Sequence, residues 1–408
     1  MTGPVAVTGI GMVTPAGIGT EATWRGLCEG TSAAQPDPDL LGLPVSIACR
    51  VPLFDARVHA PSRQPWRYDR ATQFLLAAAH EALDDAGLDR AQWDPERVAL
   101  AVGSAAGGIG TLEAQHRRLL DSGPAGVSPL TMTGFLPNMA AGHLAIDLGV
   151  KGPALQTSTA CASGATAIIT ACLLLDADLC DIVLAGGTDA MVTPLCAAAF
   201  AKMGALSRRR DDPRGASRPF DRDRDGFVLG EGAGILVLER PAHARARGAR
   251  TLAVLAGHGT TTDAHHATAP DPTGTGLRRA IRTALAAADA DTDDVDHINA
   301  HGTSTPLNDS VEATAVRELF GSRPPSVTSV KGVLGHTMGA AGAIEAALTA
   351  ASIARAAAPP TANFHRPDGT TDGIDLIAGH ARSRPIGLAL SNSLGFGGHN
   401  TVLALTRP

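Results

Sequence analysis

The sequence predicts an α/β protein with mixed sheets, built from two related halves. Short apolar runs with strand character alternate with longer Ala-rich helical runs along the chain, and turns rich in Gly, Pro and Asp separate them. The opening segment Val5-Ala-Val-Thr-Gly-Ile-Gly is echoed by Leu252-Ala-Val-Leu-Ala-Gly-His-Gly, and each half later carries a β-like run that leads to a reactive residue type, Cys161 or His301. The echo indicates either a duplicated unit or a chance similarity of two strand–turn pieces.

The individual elements follow from periodicity and from turn residues. Strands are predicted where short runs of Val, Ile, Leu and Ala are bounded by turns, at 4–8, 98–103, 182–185, 234–239, 252–257, 298–300 and 387–390. Helices are predicted for longer Ala-rich runs, at 71–86, 161–176, 274–288, 311–320 and 342–357. No low-complexity linker divides the chain, so we expect one compact unit with halves at 1–250 and 251–408.

Composition excludes several classes of protein. With 44% hydrophobic but only 3% aromatic residues, the core of this 408-residue chain must be built from small aliphatic side chains. A net charge of -6 argues against a basic surface that binds nucleic acid. No apolar run is long enough for a membrane helix and no signal peptide is evident, so we expect a cytoplasmic protein. The six cysteines lack metal spacing, and we expect reduced thiols and no metal.

One cysteine stands in a sequence that favours reactivity. Cys161 follows a Thr-rich run and precedes an Ala-rich helical pattern. If the helix begins at Cys161, its free backbone N–H groups stabilise a thiolate and lower the thiol pKa. The alternative is an inert cysteine buried in a small-residue helix, which is the interpretation given to Cys172, Cys180 and Cys196.

Three further motifs carry candidate polar groups. His301 ends a β-like run and is followed by Thr303 and Thr305, which are otherwise ordinary turn and capping residues. A glycine-rich turn holds Lys331, one of three lysines in the chain, five residues before His336. The segment Gly395-Phe-Gly-Gly-His-Asn can place a backbone N–H at a site and also move, or it is a simple hairpin turn.

Together, in this order and separation, the motifs resemble the condensing enzymes of the thiolase superfamily, specifically the β-ketoacyl-acyl carrier protein synthase II class. The similarity includes Val7-Thr-Gly-Ile-Gly, Ala216-Ser-Arg-Pro-Phe-Asp and Arg224-Asp-Gly-Phe-Val-Leu-Gly-Glu-Gly-Ala-Gly. It implies a thiolase-like five-layer αβαβα fold with the nucleophile in the first half and two histidines in the second. Thiolases would need a second cysteine as base, but none follows Cys196.

The resemblance also implies a reaction and roles. An acyl group carried as a thioester on Cys161 would condense with malonyl-acyl carrier protein as CO2 leaves, while His301 and His336 donate hydrogen bonds to the malonyl carbonyl. The backbone N–H groups of Cys161 and Phe396 would form the oxyanion hole, and the Phe396 ring would be a gate. The resemblance implies no metal or organic cofactor, because decarboxylation drives the reaction, and phosphopantetheine arrives attached to the carrier protein.

Supporting positions follow from the same resemblance. A network of Lys331 and Glu312 would orient the histidines. Thr303 and Thr305 match positions that contact the phosphopantetheine arm. Ala106 and Phe200 match the acyl pocket, where Ala106 replaces a larger apolar residue and favours a polyketide or polyene substrate.

Expected partners are acyl carrier protein and a second subunit, either an identical chain or a chain-length-factor-like protein. By the same resemblance, Arg63, Arg67 and Arg70 lie where the family often has a basic docking patch for the acidic carrier protein, with a solvated Arg-rich loop as the alternative interpretation. Gly204 replaces a basic residue often seen near carrier docking, so that contact is expected from Lys202 or Arg208.

Three alternatives to a polyketide ketosynthase remain at this stage. The first is housekeeping fatty-acid elongation. The second is a catalytically silent partner of the chain-length-factor kind, against which the presence of Cys161, His301 and His336 argues. The third is a nucleotide-binding oxidoreductase, suggested by Gly9-Ile-Gly11, although no third glycine or following acid completes that fingerprint.

Overall fold

The structure is a computed structural model that describes residues 3–60, 64–321 and 323–408. Its strands are β1 Val5–Thr14, β2 Gly17–Ile18, β3 Gln35–Pro36, β4 Ile47–Cys49, β5 Val98–Gly103, β6 Ala154–Thr157, β7 Ile182–Ala190, β8 Leu229–Glu239, β9 Ala253–Thr262, β10 His297–Asn299, β11 Ser326–Thr328, β12 Ala357–Ala358, β13 Asp375–Leu376, β14 Arg382–Ser383, β15 Leu388–Gly395 and β16 His399–Thr406.

Its α-helices are α1 Thr20–Glu29, α2 Ala56–His59, α3 Arg70–Ala86, α4 Ile109–Ser122, α5 Thr131–Phe135, α6 Met139–Leu148, α7 Ser163–Asp176, α8 Pro194–Lys202, α9 Pro241–Ala246, α10 Thr275–Ala287, α11 Pro306–Phe320, α12 Lys331–Leu334 and α13 Ala341–Arg355. Short 3₁₀ turns connect several of them, including one at Met338–Ala340.

The strand pairing repeats between the two halves of the chain. In the first half the order β1-β8-β7-β5-β6 has two antiparallel pairs followed by two parallel pairs. The second half repeats that pattern as β9-β16-β15-β10-β11. Antiparallel pairing of β1 with β9 joins the halves. The echo in the sequence is therefore a structural repeat, and the predicted boundary at 250/251 falls between α9 and β9.

Helices cover these sheets to give five layers. α7 lies on β5 and β7, α13 lies on β8 and β15, and the two helices contact each other in the centre. α3 covers β1 and β8 on one outer face, whereas α10 covers β9 and β16 on the other. Small residues allow the central contact, because a Cβ on Gly164 would lie 2.8 Å from the backbone N of Ala343.

The same packing explains the repeated glycines. A Cβ on Gly9 or Gly11 would lie 2.3 or 2.0 Å from carbonyl oxygens of α3. In the second half, Gly257 and Gly259 meet α10 at 2.3 and 2.1 Å. These glycines let a helix approach its strand closely, and α3 fills the space that a nucleotide would need over Gly9-Ile-Gly11.

The predicted strands were mostly too short. β1, β7, β8, β9 and β15 all continue through Gly, Thr or Ser residues that looked like turn signals, and sheet pairing with close helix packing holds these residues extended. The helices at 71–86, 274–288 and 342–357 were predicted to within two residues, as α3, α10 and α13. In the described residues no helix combines the length and apolar character needed to cross a membrane.

Candidate active site

Cys161 lies in a tight turn between β6 and α7. The helix begins at Ser163, so Cys161 precedes it and is not its first residue as predicted. Ala160, just before the thiol, has φ 50°. For an alanine this left-handed backbone costs about 1–3 kcal/mol. The N–H groups of Ala162 and Ser163 donate to the carbonyls of Thr159 and Ala160 at 3.1 Å, which holds the turn.

The predicted lowering of the Cys161 pKa is wrong. Burial raises the pKa of this thiol to about 11, against the opposing effects of the charge on Lys331 and a hydrogen bond from the Phe396 N–H. Because the turn places the sulfur before the helix and in a desolvated cavity, loss of hydration outweighs the helix end. Cys161 is therefore a thiol at neutral pH.

His301 follows the carboxyl end of β10, where the sequence predicted a site residue. Its backbone N–H and that of Gly302 each donate to the carboxylate of Glu312 at 2.8 Å. The Nζ of Lys331 donates to the His301 carbonyl oxygen at 2.6 Å and lies 3.3 Å from the ring Nδ1. Glu312 and Lys331 thus hold the main chain of His301, and Lys331 also faces one of its ring nitrogens.

His336 reaches the same place from the turn between α12 and α13. Its ring centroid lies 5.4 Å from that of His301, with an interplanar angle of 82°. The backbone N–H of Met338 donates to His336 Nδ1 at 3.2 Å, and the Phe227 ring packs edge-on at 5.3 Å. The two imidazoles therefore lie side by side, although 35 positions separate them in the sequence.

Both imidazoles are neutral at physiological pH. Burial, followed by the nearby charge of Lys331, lowers the pKa of His301 and of His336 well below the usual value. Since Nδ1 of each ring faces a donor, Nε2 carries the hydrogen. The site thus holds two neutral N–H donors, which is the arrangement that the predicted role requires.

The network behind His301 differs from the predicted pair. Lys331 forms its ion pair with Glu345, which lies on α13 and is 1% exposed. Glu312 instead binds the backbone of His301 and Gly302 and accepts from Asn392 Nδ2 at 3.1 Å. Glu345 was missed by the sequence analysis because it lies in an apolar helical run, and the one signal for it was a single acidic residue inside that run.

One cavity of about 420 Å3 brings most of the predicted residues together. The residues lining it include Cys161, His301, His336, Thr303, Thr305, Phe200 and Phe396. Exposed Met203 and Leu307 mark its open end. The Thr303 and Thr305 hydroxyls are 2.9 Å apart, and Thr305 also caps α11. Ala105 lines the cavity wall, whereas the predicted Ala106 packs in the apolar cluster beside it.

Phe396, the predicted oxyanion donor and gate, lies beside Cys161 and lines the same cavity. Its N–H hydrogen-bonds the Cys161 sulfur, and its ring lies 6.4 Å from that of Phe200. Gly395 must lack a side chain, because a Cβ there would lie 2.5 Å from the Thr159 carbonyl oxygen. The backbone around Phe396 can therefore approach the thiol closely enough to supply an oxyanion donor.

Two of the three predicted docking arginines lie in the described part of the chain, and they differ in their surroundings. Arg63 lies outside the described residues, and Arg67 is exposed. Arg70 is bound to Glu231 at 2.7 Å and stacks on Phe74. Lys202 and Arg208, in contrast, are exposed, and Lys202 directly precedes Met203 and Gly204, which line the cavity.

The raised pKa of Cys161 predicts an unusual alkylation profile. We expect the rate of iodoacetamide labelling to rise about tenfold per pH unit through pH 10, since the thiolate fraction grows until the pKa near 11 is reached. An ordinary thiol levels off near its pKa of 9.0. Intact mass measurement at several pH values, with Cys161→Ala to subtract the other five thiols, checks this. A plateau below pH 9 would contradict it.

The fold and the site define a class of protein, a thiolase-fold condensing enzyme that transfers acyl groups. Family models describe the same class: residues 2–244 match the N-terminal domain of beta-ketoacyl synthase, and residues 252–365 match its C-terminal domain. The chain belongs to the β-ketoacyl synthase family.

Named relatives cover the whole chain. It is 42% identical to 3-oxoacyl-[acyl-carrier-protein] synthase 2 of Synechocystis sp. and 40% identical to the protein of that name from Staphylococcus aureus, over 99% of this chain and 98% of each relative. Among solved structures, the ishigamide ketosynthase/chain length factor matches with a TM-score of 0.94 at 34% identity. A ketosynthase in a complex with its type II acyl-carrier protein, bound to the hexaketide, matches with a TM-score of 0.92 at 31% identity. Both alignments cover 100% of each chain.

Proposed function

We propose that this chain joins an acyl group held on Cys161 to a malonyl unit, both delivered by acyl carrier protein. The observation that carries the proposal is the single cavity onto which Cys161, His301 and His336 all open. A nucleophile alone would serve many acyl transfers. Two adjacent neutral imidazole donors are suited to stabilising the enolate that forms when a malonyl thioester loses CO2.

In the first half-reaction, the Cys161 sulfur attacks the thioester carbonyl of the acyl-carrier protein. The developing oxyanion is accepted by the N–H groups of Cys161 and Phe396, and the carrier thiol leaves with the proton from Cys161. Because the Cys161 pKa is raised, proton removal is part of this barrier. Closure of the site around the Phe396 ring would exclude water from the thioester.

In the second half-reaction, the Nε2–H groups of His301 and His336 bind the malonyl thioester oxygen. The electron pair of the bond to the departing CO2 becomes an enolate, which attacks the carbonyl carbon of the Cys161 thioester. The carbon–sulfur bond breaks, and the Cys161 sulfur that leaves as a thiolate takes up one proton from water, which restores the resting thiol. The product is a 3-ketoacyl chain two carbons longer, and loss of CO2 supplies the driving force without a metal or organic cofactor.

Within this reaction we propose the role of ketosynthase subunit in a dissociated type II polyketide or polyene system, acting in the cytoplasm. The small side chains at Ala105 and Ala106 support it, as do the names of the polyketide neighbours. Housekeeping fatty-acid elongation is the second candidate, favoured by the names of the 40–42% identical relatives.

The deciding experiment combines the purified chain with malonyl-carrier protein and acyl-carrier proteins of several lengths, with and without a chain-length-factor-like subunit. Intact mass spectrometry follows acylation of Cys161 and growth of the carrier-bound chain. Repeated extension that requires the second subunit supports the polyketide role. Single extension of saturated chains by the chain alone supports fatty-acid elongation, and absence of any acyl adduct would contradict condensation.

Carrier docking is proposed at the open end of the cavity, around Lys202 and Arg208. We expect Lys202→Glu to raise the KM for malonyl-carrier protein about tenfold with little change in kcat, because the exposed ammonium steers an acidic partner. The effect should shrink at high salt. Steady-state kinetics check this, with Arg67→Glu as the matched variant. A larger rise in KM from Arg67→Glu than from Lys202→Glu would contradict this site and place carrier docking near Arg67.

The subunit contact is proposed at β6, which pairs only with β5 among the described residues and carries the 40% exposed Leu155. An open strand edge invites pairing with the same strand of a second ketosynthase-fold subunit. We expect Leu155→Asp to shift the protein toward monomer in light scattering, whereas Leu41→Asp, at an exposed loop leucine, leaves the mass unchanged. Equal masses for both variants would contradict this interface.

A further inference from the structure

One buried carboxylate touches two segments that both line the cavity. Asp189 lies near the end of β7 and is 0% exposed. Its Oδ2 accepts from the backbone N–H of Ala105 at 2.8 Å and from that of Gly339 at 2.6 Å. Its Oδ1 accepts from the Ser104 hydroxyl at 2.7 Å and, at 3.4 Å, from the Ala106 N–H. Asp189 therefore joins the acyl-pocket wall to the turn that follows His336.

The two segments pack backbone against backbone at this point. A Cβ on Gly339 would lie 2.5 Å from both Ala105 N and Asp189 Oδ2. The Ser104 hydroxyl also accepts from the Gly107 N–H at 2.8 Å, which closes the pocket-side turn. Because Gly339 has no side chain and Asp189 Oδ2 binds both backbone N–H groups, a displacement of Ala105 must move Gly339 or break a hydrogen bond to Asp189.

The connection continues to the His336 ring. Met338 and Gly339 present consecutive N–H groups, and the first donates to His336 Nδ1 while the second donates to Asp189. Met338 has φ 53°, a left-handed conformation that its surroundings must enforce. Asp189 thus anchors the backbone that fixes which nitrogen of His336 faces the substrate.

The contacts of Asp189 require the ionised form. All its partners are donors, and no Lys, Arg or His of the described chain lies within 4 Å to neutralise it. Burial raises its pKa to about 6, against the opposing effect of these hydrogen bonds, so it is a carboxylate at pH 7.5. A buried carboxylate without a cationic partner lowers the stability of the fold, and the charge on Asp189 also raises the pKa of Cys161. A positioning role would explain why the site nevertheless contains it.

We propose that Asp189 is a positioning residue that couples the acyl-pocket wall at Ala105 to the orientation of His336. An acyl chain on Cys161 that presses on Ala105 then sets, through Asp189 and Gly339, how well His336 activates the malonyl unit. This inference rests on the proposed condensation and adds to it a determinant of chain-length specificity.

The test separates the two half-reactions. Asp189→Asn replaces one acceptor oxygen with a donor NH2, which faces either the two backbone N–H groups or the Ser104 hydroxyl. We expect acylation of Cys161 to stay within about threefold of wild type, and condensation to fall about 10- to 100-fold, as for the loss of hydrogen bonds to a charged group. The loss should vary with acyl length. Intact mass spectrometry measures acylation, and product formation measures condensation.

Ser104→Ala is the matched variant, because it removes only the pocket-side hydroxyl and keeps the bond from Gly339 to Asp189. We expect it to change the preferred acyl length while lowering malonyl decarboxylation less than Asp189→Asn does. Equal losses in both half-reactions at every length, or identical behaviour of the two variants, would overturn the proposal. If Asp189→Asn does not fold, an unchanged length preference in Ser104→Ala overturns it.

Measurements on the wild-type protein distinguish a failure of the proposed condensation from a failure of the proposed role of Asp189. Absence of ketoacyl product from the wild type would contradict the proposed function. Decarboxylation of malonyl-carrier protein, which needs His336 but no acyl chain, still measures the link from Asp189: equal rates in wild type and Asp189→Asn would overturn that link.

Discussion

Replacing Cys161 with alanine should remove condensation to the assay background, a loss of at least about 1,000-fold, because no second cysteine lines the cavity in the described part of the chain. His301 and His336 are untouched by this change, so decarboxylation of malonyl-carrier protein should persist. The measurements are intact mass after incubation with acyl-carrier protein and release of CO2 from the malonyl substrate. The variant should gain no acyl adduct.

Cys196→Ala is the matched control for this experiment. Cys196 is a buried cysteine whose pKa is raised by desolvation, as at Cys161, but it is not among the residues that line the cavity. We expect its adduct mass and its turnover to match the wild type. Acylation that survives Cys161→Ala and disappears in Cys196→Ala would move the nucleophile and refute the proposed mechanism.

The second large effect is expected at Lys331, whose ammonium is buried at 2% exposure. Lys331→Met leaves Glu345 without its ion-pair partner and His301 Nδ1 without a facing donor. Breaking a buried pair costs about 3–5 kcal/mol of stability. Without Lys331 facing Nδ1, the His301 hydrogen is no longer held on Nε2, where it would bind the substrate oxygen. We expect the rate of condensation to fall about 100-fold, as for the loss of one oxyanion donor.

The pH dependence of that instability follows from Glu345. Burial raises its pKa from 4.5 to about 7 even beside Lys331, and removal of the lysine raises it further. A carboxyl group with a raised folded-state pKa destabilises the fold increasingly as pH rises above its unfolded value. The thermal midpoint of Lys331→Met should therefore lie closer to wild type at pH 5 than at pH 8.

The double variant Lys331→Met/Glu345→Gln distinguishes stability from catalysis. It removes the unpaired acid, so the thermal midpoint should recover at pH 8, whereas condensation should stay low because His301 still lacks its donor. Full activity in the double variant would show that Lys331 supports the fold and not the histidine. A wild-type midpoint in Lys331→Met would contradict the buried ion pair.

The sequence by itself determined the α/β class and, through its resemblance to a known family, singled out the candidate site residues, but it left the two-half echo open against a chance similarity. Repeated Gly-x-Gly strands indicate the duplication because each strand must admit a helix closely, and that demand is local. Cys161, His301, His336 and Phe396 could be named because their four motifs, each weak alone, stand in the order and separation of a known family.

Only the tertiary structure decided the pKa values, partners and orientations of those residues. The thiol pKa, the pairing of Lys331 with Glu345, the choice of Ala105 over Ala106 for the cavity wall and the contacts of Asp189 all depend on groups distant in sequence. The physical reason is that burial and hydrogen bonding act through space: a motif fixes which group is present, but solvation and its neighbours across the core set its charge and direction.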